Sequence, residues 1–311
     1  MSAGTQTCNA QVQSGLAAQS LGSTTNGSGE VETACLAALV AVVRQRRSVR
    51  AYLPERIPDS VLNACFDLAI LAPTSHNLEC WQMIDVRDSI RLGALRHLCL
   101  DQPAATTAPH LIVAVARPDL WRRGRAMMLE HIQEEKADST LPKALREFLP
   151  LFELKYRLQI PLLFEDGPFH IFAPMKRFLV WGRSWFKPMM RGPFGRHEQA
   201  LWAIKTAALA CENLMLALTA HGFDSCPMEG FDEPRVKRLL GLPRAAEIVM
   251  VIAAGRGAEG ASFPRSAPVG NTTSCAHEHG TLVLTTMWYA FALIVCALAV
   301  VTVPFGSARQ S

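Results

Sequence analysis

The stretch Arg44-Gln45-Arg46-Arg47-Ser48-Val49-Arg50-Ala51-Tyr52 places four arginines and a serine within seven residues. It directly follows an apolar run, Val31 to Val43, that reads as a buried helix and is too short to span a bilayer. Guanidinium groups present fixed forks of donors that match a phosphate, and the Ser48 hydroxyl adds a short donor. The same residues would also suit a solvated basic turn at a helix C-terminus, where cations complement the dipole. Taken alone, the stretch leaves both readings open.

Two later stretches separate them: Ala72-Pro73-Thr74-Ser75-His76-Asn77-Leu78-Glu79-Cys80-Trp81 and Cys226-Pro227-Met228-Glu229-Gly230-Phe231-Asp232. With the arginine stretch, and in this order, they resemble the three motifs of the nitroreductase family of FMN-dependent oxidoreductases. The resemblance runs from about Leu36 to Gly255; three ordered motifs are far more specific than one. It implies an α+β fold, a mixed central sheet flanked by helices, built as an intertwined homodimer with the flavin between subunits.

The resemblance also implies a site. Arg46, Arg47, Ser48 and Arg50 would hold the FMN phosphate and ribityl chain. Ser75 and Asn77 would reach the flavin of the partner subunit, and Glu229 and Gly230 would line its N5 edge. No side chain is assigned as catalytic and no metal is expected, because the flavin carries the chemistry. NADH or NADPH would reduce it, and an electron-poor acceptor such as a nitroaromatic or quinone would take the electrons in a ping-pong cycle. Two positions depart from the family: Glu79 replaces a glutamine and cannot donate as an amide does, and Cys80 replaces a proline. Two alternatives stay open: a membrane-tethered flavin-binding module without turnover, and a specialised chemistry on the same site, such as dehalogenation or flavin destruction.

The remaining chain sets boundaries. A net charge of +4, with scattered Lys and Arg, excludes nucleic acid as the natural partner. Nine cysteines form no C-x-x-C pair, which favours a reducing compartment. Cys226 looks structural, with no neighbouring group in sequence to lower its pKa. The cluster Cys275-Ala276-His277-Glu278-His279 reads as a polar spacer.

Residues 1–30 are Ser-, Gly- and Gln-rich and are expected to be disordered. The folded domain would span 31–260. Helices are expected at Val61–Leu71, capped by Asp59 or Ser60, at Arg196–Ala220, closed by Gly222, and at Asp232–Leu240. Near-continuous apolar runs at Trp81–Val86, His110–Ala116 and Glu247–Ala254 read as strands of a covered sheet. Residues 118–195 read as a helical insertion over a ligand site. Within it, Phe178 to Met190 is apolar with Arg183 and Lys187, suiting a core, a dimer interface or a membrane surface. A linker, 261–280, precedes 281–303, an uncharged run long enough for a transmembrane helix. These segments suggest a membrane-anchored protein with its enzymatic domain in the cytoplasm, or a cytoplasmic protein if the tail is no anchor. Arg256 or Arg265 would supply a late basic residue to the phosphate.

Overall fold

The computed structural model describes residues 28–167 and 172–262; residues 1–27 of the expected disordered segment, most of the linker, Arg265, the 275–279 cluster and the 281–303 run lie outside them, while residues 28–30 are corrected to the first turn of a helix. Four strands form one sheet in the order β1-β2-β4-β3: β1 (Trp81–Asp85), β2 (His110–Ala116), β3 (Asp224–Met228) and β4 (Glu247–Gly255). β2 is buried along its whole length, as its unbroken apolar run requires. The expected mixed sheet is corrected in one respect. Among the described residues all three strand pairings are antiparallel, and the parallel element is a single bridge between Ser48 and Ser225.

The alternation of β2 sorts the core into two faces. Leu111, Val113 and Val115 pack with Val251, Ala253, Cys226 and Met228 beneath α3 (Ser89–Leu98), α4 (Pro103–Thr107) and α10 (Glu233–Leu240). Ile112, Ala114, Ile252 and Ala254 pack on the opposite face against α2 (Asp59–Ile70) and α9 (Arg196–Ala220). α9, apolar nearly all round, touches the sheet, α2 and α1 (Ser28–Gln45), so most of its circumference is covered. It is the one helix among the described residues that is long and apolar enough to cross a membrane, and half of its most apolar window is buried inside the protein. Gly222, in the left-handed region, closes it as expected.

Two local expectations are corrected. Pro58, not Asp59 or Ser60, precedes α2, and Asp59 instead pairs with Arg87 from the first turn. α1 is not buried: Leu36, Leu39 and Val43 are exposed. Between β2 and α9 lie α5 (Trp121–Ala137), α6 (Lys143–Leu154), a π-helical turn (Lys155–Gln159), α7 (Ile160–Phe164) and α8 (Phe172–Ser184). Trp121, Tyr156, Ile160 and Phe164 from these elements form a third cluster with Ala203 of α9, with Phe164 stacked on Trp121 and edge-on to Trp202 of α9.

Candidate functional site

α1 delivers the arginine stretch to the edge of the sheet. Val42 O accepts from Arg46 N at 2.9 Å, and the chain then extends alongside β3. Val49 N donates to Ser225 O (3.2 Å) and Arg50 N to Ala261 O (3.0 Å), while Tyr52 bridges to Gly257. Val49 and Tyr52 are buried in the same cluster as Cys226 and Met228. Alternation along the extended segment buries Val49 between a half-buried Ser48 and an exposed Arg50, with Arg46 and Arg47 half-buried before them. Arg50 also donates to Ser48 O. The first and third motifs, 177 residues apart at Ser48 and Ser225, thus lie on neighbouring backbones.

The charge of the arginines is felt underneath. Burial pushes the Cys226 thiol up, while Arg50 and Arg46 pull it down without overcoming burial. The sequence reading that nothing nearby would lower it is corrected to that extent, and Cys226 remains a buried thiol. Tyr52 is driven far above its ordinary value, by burial first and then by Cys226 and Asp224; its hydroxyl donates to Ala253 O. Ser225 Oγ is buried with no hydrogen-bond partner among the described residues. Arg256, at the end of β4, sits 5.4 Å over the Phe223 ring at this same edge.

β3 leads on to Glu229 and Gly230, both exposed. The Gly230 carbonyl is fixed by Gln102, which donates at 2.6 Å and is itself held by Cys99 O. A Cβ at Gly230 would stand 2.9 Å from that amide nitrogen, so the missing side chain leaves room for the contact.

The second motif lies elsewhere. Ser75–Asn77 is a short 3-10 turn with His76, Asn77 and Glu79 at positive φ. Three non-glycine residues in the left-handed region over four positions are costly unless neighbours impose them. The neighbours come from the insertion. Tyr156 Oη in the π-helical turn donates to His76 O at 2.8 Å. α5 approaches so closely that a Cβ on Gly124 would stand 2.1 Å from Leu78 O. Burial, then Lys155, holds His76 down at about 4, so its ring is neutral at pH 7. Ser75 and Asn77 stay exposed. Cys80 is buried at the start of β1; its thiol is pushed up to about 12 by burial, then Asp119 and Glu79. The proline it replaces is thus answered by a packed, inert side chain, while Glu79 points its residue to the surface.

The sheet register separates the two halves of the site. Ser48 pairs with Ser225, whose partner on β4 is Ala254, which faces His110; Cys80 lies beyond the other end of β2, next to Trp81 and its partner Ala116. Six residues of strand separate those ends, about 20 Å at ~3.3 Å per residue. The first and third motifs pack on the α3/α10 face, and the second on the opposite one. Within one chain the structure joins two of the three motifs and leaves Ser75 and Asn77 apart.

Sequence reasoning overlooked three supporting groups: Gln102 under Gly230, Tyr156 and Gly124 under the second motif, and the buried His110–Asp85 pair (3.1 Å) at the arginine end of the sheet. Each acts through a contact distant in sequence. Only Gly124, a lone glycine within a helix, left a signal, that of a close backbone approach.

Comparison with known proteins agrees with this architecture. NADH dehydrogenase of Thermus thermophilus is 26% identical over 216 residues, covering 69% of this chain and 84% of its own. The ydfN protein of Bacillus subtilis has the same fold, with a TM-score of 0.55 at 23% identity over 75% of this chain and 96% of its own. A protein of Exiguobacterium sibiricum, solved in complex with FMN, superposes with a TM-score of 0.51 at 18% identity, over 74% and 92% of the two chains. The family model described as "Nitroreductase family" matches residues 43–256, a span holding all three motifs, and the chain therefore belongs to the nitroreductase family.

Proposed function

We propose that this oxidoreductase binds FMN between two copies of the chain and passes hydride equivalents from NADH or NADPH to a small electron-poor acceptor, such as a nitroaromatic or a quinone. The observation that carries this reading is the junction of Ser48 with Ser225, which sets the arginine stretch beside the strand leading to Glu229-Gly230.

The residues present fit the cofactor. Guanidinium groups and a hydroxyl at one exposed edge are the donor set a phosphate dianion needs. The glycine at the far end of the same strand leaves backbone accessible where a flat ring would lie. The buried, unpartnered Ser225 Oγ supplies a spare polar group between these ends. FMN, when bound there, supplies two-electron exchange at its N5.

The chain's own tasks are positional. Arg46, Arg47 and Arg50 neutralise the phosphate, and Ser48 donates to it. The Glu229-Gly230 backbone, held by Gln102, lines the N5 edge. Ser75 and Asn77, which lead into the end of the sheet opposite Ser48, serve the site of the second copy. That copy has a face to occupy: an open groove of about 380 Å³ lined by Ala38, Leu39, Val42, Leu68, Leu71 and Leu216 runs between α1, α2 and α9. The insertion, which fixes the Ser75–Asn77 turn, shapes the acceptor side.

A spectrum of the purified protein, followed by anaerobic addition of NADPH and then NADH, tests the reading. A yellow protein that bleaches with either reductant is the expected result. Colourless protein that takes up no added FMN would refute flavin binding. Bound flavin that neither nicotinamide reduces would refute the hydride transfer.

A further inference from the structure

We propose that α8 is a docking helix that seats this protein on an anionic lipid bilayer. The inference rests on the geometry of α8 alone and is independent of the flavin reading.

α8 is fastened by one narrow face. Ala173 and Lys176 are its buried residues. The Lys176 ammonium donates to the carbonyls of Leu163 and Glu165, the free C-terminal acceptors of α7 and its cap. Burial pulls this lysine below its ordinary value, countered by Asp166 and Glu165. A buried, doubly bonded lysine fixes the rotation of the helix about its axis.

At 100° per residue, the side of α8 away from Lys176 and Ala173 carries Met175, Phe178, Leu179 and Trp181, and Trp185 and Phe186 follow in the turn directly after Ser184. All are exposed, Trp181 at 57%, Trp185 at 73% and Phe186 at 88%. The aromatic rings are organised among themselves rather than against the core. Phe178 stacks on Trp181 at 6.1 Å, and Trp181 meets Trp185 edge-on at 5.9 Å. Lone exposed apolar residues need no explanation, but a continuous aromatic stripe does.

Charge identifies the occupant. Arg183 flanks the stripe on one side and Arg177, held by Glu198, on the other. Residues 167–197 hold six Lys or Arg and no Asp or Glu. An apolar face rich in Trp and Phe, bordered by basic side chains, is the composition of a helix lying in a bilayer interface. Tryptophan suits that position because its ring is apolar and its N–H is polar. Each basic group near an anionic surface adds to the attraction. A second copy of the chain has a different apolar face available, the groove along α1, α2 and α9.

The test uses the full chain and vesicles of phosphatidylcholine with about 30 mol % phosphatidylglycerol, some brominated on the acyl chains to quench buried tryptophan. Wild type should bind these vesicles more tightly than pure phosphatidylcholine, with quenched emission. Trp181→Phe/Trp185→Phe should still bind but lose most of the quenching. Arg183→Glu/Lys187→Glu should fold normally and bind at least about tenfold more weakly. Any contribution from the 281–303 run is common to all variants and cancels. Equal quenching in wild type and Trp181→Phe/Trp185→Phe, or unchanged affinity after charge reversal, would overturn the proposal. So would a lipid-free dimer in which these tryptophans are shielded from acrylamide and which Trp185→Asp/Phe186→Asp splits, because a second copy would then cover the stripe.

Discussion

His110 is fully buried at the arginine end of β2, and replacing it with phenylalanine isolates what its two hydrogen bonds contribute. Ile57 N donates to Nε2 at 3.2 Å, so that nitrogen is the acceptor and the ring proton sits on Nδ1. Nδ1 then donates to Asp85 Oδ1 at 3.1 Å. Arg87 holds the other carboxylate oxygen at 2.8 Å and reaches Asp59 at 3.1 Å, tying the start of α2 to the end of β1. Phenylalanine fills the volume and removes both bonds. The buried Ile57 N–H, left unsatisfied, costs about 2 kcal/mol, and the lost donor to a carboxylate about 1 more. Arg87 keeps its grip, so the total is about 3 kcal/mol. A fold of this size loses ~2–4 °C in Tm per kcal/mol, which puts the drop at about 6–12 °C. Burial raises Asp85, but His110 and Arg87 outweigh it and hold the carboxyl below the usual carboxylate range. That contribution to stability is present above the unfolded value of ~4 and is lost as pH falls through the lower folded one. The variant lacks part of it, so the gap between wild type and His110→Phe should narrow below about pH 4. Thermal unfolding followed by circular dichroism from pH 7 to pH 3 reads both effects. A loss of less than about 2 °C at pH 7, or a gap that stays constant throughout, would refute this reasoning.

Three further outcomes follow from contacts described above. Gly124→Ala pushes a methyl group into the Leu78 backbone and should cost about 3 kcal/mol, whereas Gly93→Ala, with nothing within 4 Å of its Cβ, should be neutral or slightly stabilising; comparing their Tm values checks both. Arg47→Ala removes a charge-assisted contact and should weaken FMN binding by about 10–100-fold, as titration against free FMN would show. Leu39→Glu/Leu71→Glu places two carboxylates in the α1–α2–α9 groove. Sedimentation should find a monomer, and because Ser75 and Asn77 serve the second copy, FMN affinity should fall with it; a monomer that keeps full affinity would contradict a shared site.

What the sequence determined by itself was local or periodic. The apolar runs of β1, β2 and β4, the span of α9 and its Gly222 stop all follow from patterns within a few residues. The three motifs were legible because each is a contiguous string. β3 was not, since Asp224-Ser225-Cys226-Pro227-Met228 lacks the β-branched alternation of a strand and becomes one by pairing with β4. Nor was the exposure of α1 legible, because an apolar helix reads the same whether its cover lies in its own chain or in another. Tertiary structure alone decided that Ser48 adjoins Ser225 while the second motif leads into the opposite end of the sheet. It alone set Gln102, Tyr156, Gly124 and His110 behind the motifs they support. Such contacts join residues 25 to 128 positions apart, or farther, and depend on register and helix rotation, which no local pattern encodes.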